Sequence, residues 1–158
     1  MITFSLPNPC RARSDAAFSG DANLLRREEM GCDDCDFYQD DEGITTDLTL
    51  LAFGTQAVQC TALECDVVDE NIRETIAFLI HQQHAIFDTA IIEAQNYTAR
   101  IYSAALRDLT LIKIYLLPQE EKCFGLLFST QIDPEHGIGM KFKRYDLTEI
   151  GSAEAAFL

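Results

Sequence analysis

Basic residues are scarce in this sequence. Twelve lysines and arginines stand against 26 aspartates and glutamates among 158 residues, for a formal net charge of −14. That deficit works against nucleic acid and anionic membrane surfaces as partners, since both would be repelled. Long apolar runs are missing as well, so nothing in the sequence reads as a bilayer-crossing segment. The opening Met1-Ile2-Thr3-Phe4-Ser5-Leu6-Pro7 lacks a basic n-region and carries only a broken apolar run. It does not read as a signal peptide, and the chain is expected to be cytoplasmic. Internal repeats and low-complexity segments are absent. Of six cysteines only Cys32 and Cys35 form a Cys-x-x-Cys, and all six are expected as thiols. Cys60, Cys65 and Cys123 lie in apolar, strand-like segments and read as small core residues.

What the chain does have is negative charge in one place. Residues 28–42 hold Glu28, Glu29, Asp33, Asp34, Asp36, Asp40, Asp41 and Glu42 with no base among them. These eight acids supply over half of the net charge of −14. Blocks of this kind are often interaction segments. Phe37 and Tyr38 in the middle would be apolar anchors, which a purely solubilising stretch does not need. Residues 1–43 are otherwise punctuated by Pro7, Pro9, Gly20, Gly31 and Gly43, with a short helix plausible over 21–30 behind an Asp21 cap. They are set apart as an acidic N-terminal segment, ahead of an α+β domain over 44–158.

From Thr45 the pattern becomes regular. Residues 46–53 and 58–67 alternate as two strands around the turn Gly54-Thr55-Gln56, a hairpin. Residues 71–104 carry the one long helical signal: Ile72, Ile76, Leu79, Ile80, His84, Phe87, Ile91 and Ala94 recur at three- and four-residue steps. Asn71 would cap this helix, with Glu74 at the capping-box position. So long a helix is unusual in a small domain, which predicts a kink or a second start near residues 84–87. Residues 109–117 read as a central strand, apolar on nearly both faces. Residues 123–132 and 138–145 form a further hairpin around Asp133-Pro134-Glu135-His136-Gly137, where Gly137 can take positive φ. Residues 147–150 would add a short strand, and the tail 152–158 would dock. The expectation is an α+β fold: a single antiparallel sheet of about five strands with a helical unit, one kinked helix or two, on one face, in the order β-β-α(α)-β-β-β.

The stretch Asp133-Pro134-Glu135-His136-Gly137-Ile138-Gly139-Met140-Lys141-Phe142, followed by Glu149-Ile150-Gly151, resembles the ending of a widespread family of uncharacterised bacterial domains. In that family a strand, an acid-x-Glu-His-Gly turn, a further strand and a valine- or isoleucine-glycine step recur. The similarity runs from about Thr45 to Leu158. Members resemble, in size, acidity and genomic role, immunity proteins that neutralise secreted bacterial toxins. The resemblance implies a protective binding role, with no catalytic residue, cofactor or metal defined. The implied partner is a cognate toxin with a basic surface, a nuclease being one such case, and no nucleic acid or membrane. The residues expected to meet it are Glu28, Glu29, Asp33, Asp34, Asp36, Phe37, Tyr38, Asp40, Asp41 and Glu42.

Three constellations support other chemistry. Glu135 and His136 pair a carboxylate with an imidazole, but neighbours in sequence rarely face each other and no nucleophile is placed beside them, so a turn held by side-chain hydrogen bonds is favoured. His81, His84 and Asp88 share a helix face at ligand-like spacing, though without the His-Glu-x-x-His pattern, and Gln82 and Gln83 suggest a helix end or surface turn. Cys32 and Cys35 could supply half a zinc site, but only Cys10 or a distant histidine could complete it, and the adjacent aspartates disfavour a reactive thiolate. A small metal-dependent hydrolase built on His81, His84, Glu135 and His136 is therefore the alternative to a binding protein. A housekeeping adaptor with an ordinary acidic surface is the third reading.

Overall fold

The computed structural model describes residues 2–3 and 35–158. The helix expected over 21–30, together with Cys10 and Cys32, lies outside the described residues. The elements in order are β1 (Ile2–Thr3), β2 (Tyr38–Gln39), β3 (Gly43–Leu48), β4 (Val58–Leu63), α1 (Glu70–Tyr102), β5 (Asp108–Leu116), β6 (Cys123–Ser129), β7 (Ile138–Lys143), β8 (Asp146–Gly151) and a 3₁₀ turn at Ala153–Ala156.

Seven strands lie side by side in the order β2-β3-β4-β5-β6-β7-β8, and β1 pairs with β5 outside that run. The α+β class and the single sheet hold. The strand count and the all-antiparallel arrangement do not: β2 adds an edge strand, β8 is the short strand expected over 147–150, and β4 runs parallel to β5, from Gln59↔Lys113 to Ala62↔Leu116. The direction follows from where α1 begins and ends. Near its start, Asn71 donates to the Pro118 carbonyl at 3.3 Å, just past the end of β5. At its last residue, Tyr102 donates to Asp133 at 2.7 Å, beyond the end of β6. Since β5 and β6 are antiparallel, these contacts mark opposite ends of the sheet. The helix thus carries the chain back from the end where β4 stops, and β5 re-enters in the direction of β4.

α1 is one unbroken helix of 33 residues, not a kinked or split unit. At 1.5 Å per residue it spans roughly 50 Å. No glycine or proline interrupts it, so no kink has a cause. Its cap is Asp69, whose carboxylate accepts from the Ile72 amide at 2.9 Å. Asn71 is already helical and its side chain is occupied with Pro118. The buried stripe runs Ile72, Thr75, Ile76, Leu79, Gln83, Ile86, Ala90, Ala94, Tyr97 and Thr98. It passes through Gln83 where the sequence suggested His84, which is exposed. Gln83 is no helix end either. Its Oε1 accepts from the Ala52 amide and its Nε2 donates to the Ile80 carbonyl, both at 2.9 Å.

The inner face of the sheet carries the core beneath α1. Phe124, Leu126 and Phe128 from β6 and Ile138, Met140 and Phe142 from β7 are fully buried. Phe124 and Phe142 stack with ring centroids 5.4 Å apart. Each such side chain contributes about 1.5–3 kcal/mol by leaving water. β5 occupies the middle of the sheet as its apolar composition predicts, but it does not alternate simply. A bulge between Leu111 and Lys113 inserts Ile112. Leu109 and Leu111 before it and Ile114 and Leu116 after it are all buried, while Ile112 is 48% exposed. The extra residue resets the phase so that both halves of the strand face the core.

The tail docks on the outer face. Gly125 and Gly139 lie under the 3₁₀ turn, and a Cβ at Gly125 would sit 1.6 Å from the Ala156 carbonyl oxygen. Only glycine permits that approach. Phe157 then reaches the ring of Tyr115, centroids 5.1 Å apart. At the far edge β8 pairs only with β7 among the described residues.

Candidate functional site

The chain segment that carries the acidic block into the described structure is the β2–β3 hairpin. Tyr38 pairs with Thr45 and Gln39 with Ile44, so the segment drawn as N-terminal is hydrogen-bonded to the sheet. The hairpin closes through the Asp40 amide donating to the Gly43 carbonyl at 2.9 Å, leaving Asp41 and Glu42 at the tip. Asp40 makes this turn. One carboxylate oxygen accepts from the amides of Glu42 at 2.9 Å and Gly43 at 3.1 Å. The other accepts from the Thr45 hydroxyl at 2.7 Å, which also lies 3.0 Å from the Thr61 hydroxyl. The Thr45 hydroxyl, and then the amides, hold the Asp40 carboxyl below the usual carboxylate range. Asp40 is therefore committed to the turn, whereas Asp36, Asp41 and Glu42 are exposed.

The two aromatic anchors divide in the same way. Phe37 is half-buried against the core, with the Arg73 guanidinium 5.8 Å from its ring centroid. It ties the hairpin to α1. Tyr38 is 45% exposed, and its hydroxyl accepts from the Gln59 side chain at 3.3 Å. Beside them is a shallow hollow bounded by Ile44, Asp66 and Val68. Glu28, Glu29, Asp33 and Asp34 lie outside the described residues.

The hairpin tip forms one lip of a cleft of about 560 Å³ at the end of the sheet where β4 and β5 finish. Among the described residues, Asp41, Glu42, Glu64 and Glu120 are its side-chain carboxylates, Lys141 its one cation, and Leu63, Leu117, Phe157 and Leu158 its apolar lining. Two of the acids are neutralised by lysines of the outer face: Glu42 by Lys113, and Glu120 by Lys143 at 2.9 Å. The pairing lowers the Glu120 carboxyl and raises the Lys143 ammonium. Lys141 donates to the Leu158 carbonyl at 2.6 Å and lies 3.7 Å from Glu149. Glu64 follows β4 with φ +58°, its amide held by the Glu42 carbonyl at 2.9 Å. Sequence reasoning missed Glu64 and Glu120 as neighbours of the acidic block. The sequence held no signal for Glu64: a hairpin centred on the turn at 54–56 sets residue 64 against residue 46, whereas the observed register Gly43↔Leu63 brings it beside residue 42.

The other constellations do not converge. His81, His84 and Asp88 are exposed along the middle of α1. His136 stands at the opposite end of the helix, where its Nδ1 and amide lie 3.0 and 3.1 Å from one Asp133 oxygen and Tyr102 donates to the other. Eighteen residues of α1 separate His84 from Tyr102, roughly 27 Å of helix axis. Glu135 is exposed, and Asp133 organises the turn. Among the described residues no three histidines, cysteines or acids are placed to hold a metal ion. Cys60 is fully buried, with its thiol pKa raised by burial. Burial and nearby acids raise the Cys65 thiol too. No described helix is long and apolar enough to cross a membrane.

No family model, curated protein or solved structure matches the chain.

Proposed function

We propose that this chain is a non-catalytic immunity protein, which binds a cognate bacterial toxin in the cytoplasm and blocks it through an acidic surface. With no matching relative, the reading rests on the resemblance carried by residues 133–151 and on the acidity of the chain. The observation that supports it most is the β2–β3 hairpin. It holds the end of the acidic block on a fixed turn, with Asp36, Asp41 and Glu42 exposed and the neighbouring Tyr38 half-exposed. A charged lip on a rigid sheet meets a basic surface quickly and without ordering cost, which is how inhibitors of cationic clefts gain speed and specificity. The net charge of −14 adds long-range steering to the same encounter.

Co-purification with the product of the adjacent gene identifies the partner, and association kinetics then test the surface. Reversing Asp33, Asp34 and Asp36 to lysine, with Asp40 kept because it closes the turn, slows association by about tenfold at low salt and much less at high salt. Unchanged association rates at both salt levels would remove the acidic block from the interface.

A further inference from the structure

The cleft beside the hairpin has a mixed chemistry that is more selective than its overall charge. Of its four carboxylates, Glu42 and Glu120 have lysine partners. Asp41 and Glu64 have no ion pair among the described residues, and both are exposed at the mouth. Below them Leu63, Leu117 and Phe157 are half-buried and line the same space of about 560 Å³. The wall is firm on two sides: the Glu64 amide is held by the Glu42 carbonyl, and Phe157 is held against Tyr115.

We propose that this cleft is the seat for an arginine side chain of the protein partner. The reading rests on the acidic-surface function argued above and names what enters. An apolar floor under two carboxylates that have no ion pair among the described residues suits a side chain with a long aliphatic stem and a cationic head. The stem lies on Leu63, Leu117 and Phe157, and the head faces Asp41 and Glu64. Arginine fits better than lysine because its planar guanidinium presents five donors and can serve two carboxylates at once. A neutral or acidic side chain would leave the Asp41 and Glu64 carboxylates without a counter-charge. Lys141 does not fill the role, since its ammonium is engaged with the Leu158 carbonyl and Glu149.

The test is an amide-resonance titration of the full chain with the capped peptide Gly-Arg-Leu-Arg-Gly and its citrulline counterpart, which keeps the shape and removes the charge. The arginine peptide is expected to move the amides of Leu63, Glu64, Leu117 and Phe157, and the citrulline peptide to leave them in place. Asp41→Asn with Glu64→Gln weakens binding by about tenfold, whereas Asp88→Asn with Asp146→Asn, which removes the same formal charge elsewhere, changes it by less than about twofold. Absent shifts, shifts spread over all exposed acids, equal binding of the citrulline peptide, or equal weakening by the distant pair would each overturn the proposal. If the cleft fails in this way while toxin association still depends on Asp36, the immunity reading survives and only the arginine seat is lost.

Discussion

Asp133 shows how a turn residue beside the Glu135–His136 pair is used to join two elements. Its carboxylate accepts from the Tyr102 hydroxyl on one side and from His136 on the other. The Tyr102 hydrogen bond, and next the His136 amide, hold the Asp133 carboxyl below its ordinary value. The same bond pushes Tyr102 up to about 12. The signs follow from linkage. Asp133 contributes stability above the unfolded carboxyl pKa, near 3.8, and that contribution is lost as pH falls through its lower folded value. Tyr102 contributes below its unfolded pKa of 10.0 and loses the contribution as pH rises through about 12. In Tyr102→Phe the Asp133 carboxyl should therefore titrate at higher pH, while Asp40, held by Thr45 and its own turn amides, should not move. Carboxyl carbon NMR across pH 2 to about 6 reads both groups in one experiment. The adjacency of Glu135 and His136 was legible in the sequence as a turn. Asp133 was legible too, as the residue that starts the turn; its bond to Tyr102 was not, because Tyr102 is remote in the chain and meets Asp133 only after folding.

At the scale of elements, the strands with clean alternation were the readable ones. Phe124, Leu126 and Phe128, and then Ile138, Met140 and Phe142, fell on the core face as their spacing predicts. The continuous apolar run of β5 gave no phase, so its bulge was invisible until the partner strand fixed the register. The length of α1 was legible, but its continuity was not. The parallel direction of β4 and β5 depends on which ends of the sheet α1 touches, a long-range matter that local pattern does not carry. The bulge makes a sharp prediction. Plain alternation puts Ile112 and Ile114 on one face with equal weight. With the bulge, Ile112→Thr should change stability by less than about 0.5 kcal/mol, while Ile114→Ala should cost about 2–5 kcal/mol. Urea unfolding midpoints of the two variants decide between these outcomes. Equal losses would place Ile112 in the core.

For the molecule as a whole, the governing quantity is a net charge of −14 on 158 residues. Self-repulsion of that size opposes the compact state, and mobile ions relieve it. Raising salt from about 10 to about 300 mM should therefore raise the thermal midpoint, since the Debye length falls from about 30 Å to well below 10 Å. A midpoint independent of salt would mean that the pairs Lys113–Glu42 and Lys143–Glu120 already offset the repulsion locally. The acidic block itself was plain in the sequence. Its meeting with Glu64 and Glu120 around one cleft was not, because it needs three separate chain segments brought to one end of the sheet.

β8 lies at the rim of the sheet, with hydrogen bonds to β7 on one side only among the described residues. Six residues of extended backbone left open in this way could recruit a strand from another copy and start a growing ribbon. Asp146 and Glu149 are exposed along that border. Two copies approaching edge to edge would bring like charges together before their backbones could meet. The acidity invoked for the proposed cationic partner also keeps copies of the protein apart.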